Sequence, residues 1–232
     1  MVQVANVKRH WLPNLKEDVM AYISEILPIM MKGAIISLKL FALTLILSLP
    51  LGLPVCLGEQ SKIAPIRWLC KTFVFVFRGT PLMLQLFFFY FFFPIQLGIR
   101  MEAFPTAVLT FAINYAAYFA EIYRGGFNSI DKGQYEAAYS LGFTHKQTLS
   151  KVVIPQMFRI VIPPISNEVI TLIKDTALAS TITLAEMMKV SQGMVNRDGT
   201  LMPYMLAAGI YLVFTFIMTL GLSRAEARYS QY

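Results

Sequence analysis

The chain has 232 residues, of which 56% are hydrophobic and only 14% are charged. A soluble domain of this length carries about 25% charged residues, so the composition predicts a polytopic membrane protein. The formal net charge of +7 comes without a surface segment of interleaved basic and aromatic residues, so we attribute the charge to membrane topology and exclude nucleic acid as a partner.

Five stretches can cross a hydrocarbon core, which needs about 20 mostly apolar residues. They lie near residues 33–57, 80–98, 104–123, 156–173 and 202–222. We therefore expect an all-α polytopic membrane protein with about five transmembrane helices. Residues 1–28 are expected to form an extracytoplasmic or interfacial segment, residues 29–232 the transmembrane domain, and residues 63–77 an interfacial helix that leads into the second span.

Lys and Arg residues are concentrated in the connection 59–78, the loop 124–159 and the C-terminal tail. The loops on the opposite side hold few, although basic residues of the N-terminal tail would face the same way as those loops. Because basic loops remain in the cytoplasm, the pattern predicts an N-terminus outside and a cytoplasmic C-terminus.

The start of the second span reads Arg78-Gly79-Thr80-Pro81. Thr80 fits an N-cap and Pro81 the first helical position, so Arg78 is expected to mark the inner membrane boundary. The alternative is that this segment contacts a substrate or takes part in gating.

The third span carries Asn114, Tyr118 and, at its end, Glu121. A buried amide such as Asn114 either holds helices together or lines a polar cavity. Because Glu121 precedes Arg124 by three residues, a local ion pair competes with a functional role for this carboxylate.

The loop 131–155 is predicted to contain two short helices. Asp131 with Gln134, and Thr144 with Gln147, fit the capping-box pattern, in which the side chain of a Gln three residues after the N-cap bonds back to the N-cap backbone. Gly142 separates the two helices, where a positive φ turns the chain sharply. The small side chains at 137 and 138 leave a low-relief face on which another protein could pack. The alternative is an ordinary amphipathic helical hairpin.

The fourth span contains the pair Pro163-Pro164, followed by Asn167 and Glu168. A broken helix in a membrane is tolerated where protein or a watery cavity satisfies the freed backbone groups. A carboxylate at that depth is a functional candidate, and its alternative is a structural ion pair or interhelical hydrogen bond. Asp175, beside Lys174, either forms a local ion pair or meets a substrate ammonium group.

Catalytic motifs are absent from the sequence. It has no His-Glu-x-x-His, Cys cluster or Gly-x-Ser-x-Gly, and no phosphate loop for ATP. The chain is therefore not expected to be an enzyme, nor to hold a catalytic residue, metal or cofactor of its own. An energy-coupled transporter of this kind requires a separate ATPase.

Four segments carry a resemblance to the polar amino acid permeases of binding-protein-dependent ABC importers. The first is the loop 131–155, which we call the docking loop. Its spacing is Glu136-Ala137-Ala138, three residues, Gly142, nine residues, and Val152-any-Ile154-Pro155. The family motif usually has Ile and Leu where this chain has Val152 and Ile154, which are mild departures. The other segments are 77–85, 114–126 and 167–178. Candidate pathway residues are Gln85, Asn114, Tyr118, Glu121, Asn167, Glu168 and Asp175.

The resemblance implies the type I ABC importer fold in the cytoplasmic (inner) membrane of a prokaryote. Two permease subunits, identical or paralogous, surround the pathway. Two ATPases bind ATP and Mg²⁺ below, and a solute-binding protein delivers the substrate from outside. Docking would fall on Glu136, Ala137, Ala138, Gly142, Ile154 and Pro155.

The resulting hypothesis is an ATP-driven importer subunit that moves a polar amino acid by alternating access, coupled to the ATPase through loop 131–155. An ion-coupled secondary transporter or channel is one alternative, favoured by inverted repeats or a relay of intramembrane acids, and neither is seen. A membrane scaffold without transport is the other. Co-purification with an ATPase separates the three.

Overall fold

The computed structural model describes the backbone of residues 15–230 and the side chains of residues 19–228. This part of the chain is all-helical, which confirms the predicted fold class. Its helices are α1 (Leu15–Glu59), α2 (Ala64–Gly79), α3 (Leu82–Leu97), α4 (Ala103–Asn128), α5 (Lys132–Ser140), α6 (His145–Thr148), α7 (Ile154–Asp175), α8 (Met187–Asp198) and α9 (Met202–Ser230). A π-helical turn (Leu149–Val153) precedes α7, and a 3-10 helix (Thr176–Ile182) follows it.

Helix α1 has 45 residues, so it extends about 68 Å, more than twice the thickness of a hydrocarbon core. It runs without interruption through the predicted boundary between residues 28 and 29. Ile26 is fully buried with Met30, Ala34 and Met187, so apolar packing joins residues ahead of that boundary to the bundle. Residues 1–14 of the predicted outer segment lie outside the described residues.

Helices α2 and α3 form one strongly bent pair, with an angle of 108° between them. The break falls at Thr80 and Pro81. The sequence places Thr80 at the N-cap of the second span, but Pro81 occupies that position. The reason is that the Thr80 hydroxyl donates to the carbonyl of Val76, 2.8 Å away, and so ends α2 rather than starting α3.

Helix α4 lies at the centre of the bundle and packs mainly against α1. A Cβ added at Gly52 of α1 would lie 2.9 Å from the Cβ of Phe119 and 3.0 Å from the backbone nitrogen of Ala120. The two helices therefore approach each other closely because residue 52 has no side chain. This contact holds the long first helix against the middle of the fold.

Three helices of the described chain, at Val19–Glu59, Ala103–Asn128 and Met202–Arg228, are long and apolar enough to cross a membrane. The bent pair α2–α3 raises the number to four. The predicted fourth span, near 156–173, is the 22-residue helix α7, which is not among them. The reason is its polar side chains, three of which, Glu168, Thr171 and Asp175, line the cavity described next.

Candidate functional site

A cavity of about 470 Å³ opens beside the break between α2 and α3. We call it the central cavity. Its walls come from the break itself, from the middle of α4 and from the second half of α7. The lining residues are Arg78, Gly79, Thr80, Pro81, Leu82, Asn114, Tyr115, Tyr118, Glu168, Thr171, Asp175 and Leu178.

Two buried amides hold the broken helix ends against α4. The Gln85 Nε2 donates to the carbonyls of Phe77 (2.9 Å) and Thr80 (3.1 Å) and to the Thr80 hydroxyl (2.8 Å). The Asn114 Nδ2 donates to the carbonyl of Phe77 (2.9 Å) and to the Gln85 Oε1 (3.0 Å). Carbonyls freed by the bend are thus satisfied inside the bundle, as a membrane interior requires.

An acidic wall is formed by α7. Glu168, Thr171 and Asp175 are spaced by three and four residues, so they share one face of the helix. The carboxylate of Asp175 accepts a 2.8 Å hydrogen bond from the hydroxyl of Tyr115, which is 2% exposed. Glu168 forms no hydrogen bond or ion pair with another described side chain. Its carboxylate is therefore available to a ligand in the cavity.

Arg78 supplies the positive charge of the cavity. Its guanidinium carbon lies 5.3 Å from the centre of the Tyr118 ring, a cation–π arrangement. One of its nitrogens lies 3.7 Å from Glu121. The structure places Arg78 at the helix break, in the wall of the central cavity, which agrees with the alternative of substrate contact or gating for this segment. Its position at the inner membrane boundary stays a prediction.

The predicted pathway residues do not all line this cavity. Asn114, Tyr118, Glu168 and Asp175 do. Gln85 does not line it, because its side chain is bound to the backbone at the break. Asn167 is exposed on another face of α7.

Glu121 also lies outside the central cavity. It accepts hydrogen bonds from the guanidinium of Arg124, which confirms the predicted i,i+3 ion pair.

The sequence does not single out Tyr115 or Thr171 as parts of the site, and it offers a site role for the segment of Arg78 only as an alternative. The i, i+3, i+7 spacing that relates Thr171 to Glu168 and Asp175 was a usable signal. No local signal relates Tyr115 to Asp175, because these residues are 60 positions apart.

The docking loop is ordered by local hydrogen bonds. The Asp131 carboxylate caps α5 by accepting from Gly133 N at 2.6 Å. Gln134 does not answer it, because its side chain accepts instead from Gln156 Nε2 on α7. Thr144 and Gln147 form the predicted reciprocal capping box at the start of α6.

Gly142 ends α5 with φ of 79°. Two backbone hydrogen bonds close this turn, from Gly142 N to the carbonyl of Tyr139 and from Phe143 N to the carbonyl of Ala138. This is the Schellman arrangement, in which a left-handed glycine reverses the chain after a helix. The prediction of a positive φ at Gly142 is confirmed.

The exposed surface of the docking loop differs from the predicted one at one position. Glu136, Ala137, Ile154 and Pro155 are exposed, and Leu141 at the tip is 77% exposed. Ala138, predicted to share a low-relief outer face with Ala137, is only 4% exposed, because its helix packs against α6 and the π-helical turn of the same loop.

The base of the docking loop packs without free space. Ile130, Val153, Met157 and Val161 form a buried cluster. A Cβ added at Gly126 would lie 2.3 Å from the Val161 side chain. The loop is thus attached firmly to both α4 and α7.

A carboxylate not considered from the sequence, Glu186, is fully buried at the start of α8. It accepts from the backbone nitrogens of Met188 (2.8 Å) and Lys189 (2.7 Å), and also from the hydroxyls of Tyr211 and Ser37. Four donors satisfy it, so it joins α1, α8 and α9 as a structural N-cap.

Asp198 ends the same helix and is exposed. Its carboxylate accepts hydrogen bonds from Arg197 and from the Tyr22 hydroxyl of α1 (2.7 Å). The hydrogen bond from Arg197 has the larger effect and that from Tyr22 the smaller, and together they hold the pKa of Asp198 below its usual range.

Among the described side chains, no group of three or more His, Cys, Asp or Glu is arranged to hold a metal ion.

The described helices form a bundle with a broken span, a charged internal cavity and an ordered loop at one end. This is the architecture of a membrane permease. Over residues 48–231 the chain matches the binding-protein-dependent transport system inner membrane component family. The chain belongs to this family.

Three similar proteins illustrate the relationship. The L-cystine transport system permease protein of Bacillus subtilis is 41% identical over 207 residues, covering 88% of each chain. The arginine transport system permease protein of the same organism is 38% identical over 194 residues, covering 83% of this chain and 89% of the relative. A crystal structure of an amino acid ABC transporter with histidines superposes with a TM-score of 0.85 at 35% identity, covering 90% of this chain and 97% of the other.

These similarities confirm the predicted type I ABC importer permease fold and the importer function. They favour a transport subunit over an ion-coupled secondary transporter, a channel or a scaffold. The family is one of permease subunits and not of enzymes.

Proposed function

We propose that this chain is the transmembrane subunit of an ATP-driven importer for a polar amino acid, and that the central cavity receives the substrate. The observation that carries the proposal is the presence of both charge signs around one cavity. Glu168 and Asp175 line one wall and Arg78 another. An amino acid presents an ammonium and a carboxylate group, so its two charges match the two walls.

The start of α3 adds to the positive side of the cavity. Pro81 and Leu82 line it, and none of the described side chains caps this helix. The first N–H groups of a helix lack intrahelical partners and carry the positive end of its dipole. Half-helix ends of this kind receive anionic substrate groups in membrane transporters. The substrate carboxylate would therefore face Arg78 and the start of α3, and its ammonium group Glu168.

Coupling to ATP is assigned to loop 131–155. In this proposal a partner ATPase binds ATP and Mg²⁺, and its surface packs on Glu136, Ala137, Leu141 and Pro155. The firm attachment of the loop to α4 and α7 supports the assignment, because movement at the loop would displace two walls of the central cavity. Transport requires that ATP-bound and ATP-free ATPases bind the loop differently.

The remaining partners follow from the same proposal. The basic loops lie in the cytoplasm, with the docking loop among them, in the inner membrane of a prokaryote. A solute-binding protein docks on the outer side. A second permease subunit, a copy or a paralogue, completes the pathway.

Substitution of Glu168 tests the role of the central cavity. Glu168→Gln keeps the shape of the side chain and removes its charge, so uptake by the assembled importer in proteoliposomes should fall by at least about tenfold, the effect of losing a hydrogen bond to a charged group. A panel of radiolabelled amino acids identifies the substrate in the same assay. Glu102→Gln is the matched control, because Glu102 is exposed and lines no part of the cavity.

The melting temperature of each variant in detergent separates function from stability. The proposal expects Glu168→Gln to melt as the wild type does while uptake falls. Wild-type uptake by a stably folded Glu168→Gln protein would contradict it, and so would a lower melting temperature with unchanged uptake per folded molecule.

A further inference from the structure

A second polar cavity, of about 400 Å³, lies where α1, α2 and α4 meet near the docking loop. We call it the Glu59 cavity. It shares no lining residue with the central cavity. Its lining residues are Glu59, Gln60, Lys71, Val74, Phe75, Glu121, Arg124 and Asn128.

Glu59, the last residue of α1, is only 6% exposed. One of its carboxylate oxygens is buried without a hydrogen-bond partner among the described residues. A buried carboxylate that lacks partners is costly, and such groups in native proteins are normally satisfied by a donor or a cation. The Glu59 oxygen therefore indicates a missing donor in the cavity that this residue lines.

The other charged groups of the cavity define which donor fits. Glu121 and Arg124 satisfy each other through two hydrogen bonds. Lys71 is exposed and forms no ion pair with a described carboxylate. One acid and one base are thus paired, and one of each, Glu59 and Lys71, has no ion-pair partner within the part of the chain that the structure describes. The cavity has no net formal charge and both signs available, which complements a zwitterion.

We propose that the Glu59 cavity binds a compact zwitterion, with its primary ammonium group on Glu59 and its anionic group on Lys71 and the free edge of Arg124. Two sources carry this chemistry: a free amino acid, and the headgroup of phosphatidylethanolamine. The proposed function places this site on the cytoplasmic side of the membrane, and only that placement rests on the proposed function.

The position of the site gives it a regulatory consequence. Asn128 lines the cavity and is the last residue of α4, three positions before the Asp131 cap of the docking loop. A bound zwitterion would bridge the last turns of α1 and α4 and the middle of α2, beside that loop. It would resist relative movement of these helices and so adjust ATP-driven cycling.

The first test is equilibrium binding of radiolabelled L-glutamine to the purified permease–ATPase complex, in phosphatidylcholine nanodiscs and without the binding protein. L-Glutamine has an uncharged side chain, so only its backbone charges can be recognised electrostatically. Glu59→Gln and Lys71→Gln should each weaken binding by at least about tenfold, the effect of losing a charge-assisted hydrogen bond. Lys71 is exposed, so its variant remains informative if Glu59→Gln fails to fold.

Matched variants distinguish the two cavities. Glu102→Gln removes an exposed charge outside both cavities and should bind as the wild type does. Glu168→Gln alters only the central cavity, so L-glutamine binding that is lost in Glu168→Gln and retained in Glu59→Gln would overturn this proposal while supporting the proposed function.

The second test addresses the lipid. The complex is reconstituted in nanodiscs in which part of the phosphatidylcholine is replaced by phosphatidylethanolamine. It is then extracted and purified again in detergent, and the lipid that stays bound to it is measured by mass spectrometry. Retention of phosphatidylethanolamine that falls in both Glu59→Gln and Lys71→Gln assigns the site to the headgroup. Absence of specific binding by both probes, or equal binding to wild type and to both variants, overturns the proposal.

Discussion

Substitution of Gly142 offers a sharp test of the docking loop. The residue has φ of 79°, and apart from Gly142 itself and its chain neighbours no heavy atom of the described residues lies within 4 Å of the position that a Cβ would occupy. The effect of a side chain is therefore backbone strain alone and not steric overlap. A non-glycine residue in this region costs about 1–3 kcal/mol, and a β-branched one lies at the upper end because its χ1 is restricted. Gly142→Val should therefore distort the turn between α5 and α6.

If the docked conformation bears the whole strain, about 1–3 kcal/mol corresponds to a loss of about 5-fold to 150-fold in ATPase affinity. Gly142→Asn should lose least, because Asn tolerates the left-handed conformation, and Gly142→Ala should fall between Asn and Val. The measurement is a pull-down titration of the ATPase with detergent-solubilised permease, accompanied by substrate-stimulated ATP hydrolysis.

Gly199 provides the matched control for strain. It has φ of 66°, equally open surroundings, and a position at the end of α8, far along the chain from the docking loop. Gly199→Val should introduce similar strain and leave ATPase affinity unchanged. Equal losses in both Val variants, or normal affinity and hydrolysis in Gly142→Val, would refute the docking assignment.

The remaining predictions concern stability and topology. Glu186→Ala removes an N-cap and leaves buried donors without an acceptor, so it should destabilise the protein by about 2–4 kcal/mol. A falling melting temperature in detergent measures this, and Glu25→Ala, which removes only an exposed 4.0 Å ion pair with Arg197, should change it little. Single cysteines at positions 61 and 140 should react with impermeant thiol reagents only from the cytoplasm, and one at 199 only from outside. Labelling of position 199 from inside would overturn the assigned orientation.

The features that sequence predicted well are those that depend on near neighbours. The capping box of Thr144 with Gln147, the turn at Gly142 and the pair of Glu121 with Arg124 each involve residues within a few positions. Their geometry is determined mainly by local backbone conformation, so the sequence contains most of the necessary information. The assignment of Gln134 as a partner of Asp131 fails because a residue 22 positions away, Gln156, binds its side chain.

The central cavity depends on contacts that spacing does not reveal. Arg78 enters it because α2 and α3 meet at 108°, an angle fixed by the amides of Gln85 and Asn114 from two different helices. Glu186 lies in a segment that reads as a loop, and only the packing of α1, α8 and α9 makes it buried. These features require tertiary structure, since each joins residues that are distant in the chain.

The π-helical turn at Leu149–Val153 determines the orientation of everything that follows it in α7. A π turn acts as a one-residue insertion in an α-helix, and each residue of an α-helix advances the side-chain direction by about 100°. Without the extra residue, a continuous helix from the same docking loop would turn the face of Glu168 and Asp175 away from Arg78 by that angle. The direction in which α7 presents Glu168 and Asp175 is therefore set at the start of the helix, which is its cytoplasmic end in the proposed orientation. Deletion of a single residue in the π-helical turn would turn both carboxylates away from the cavity without changing any residue that lines it.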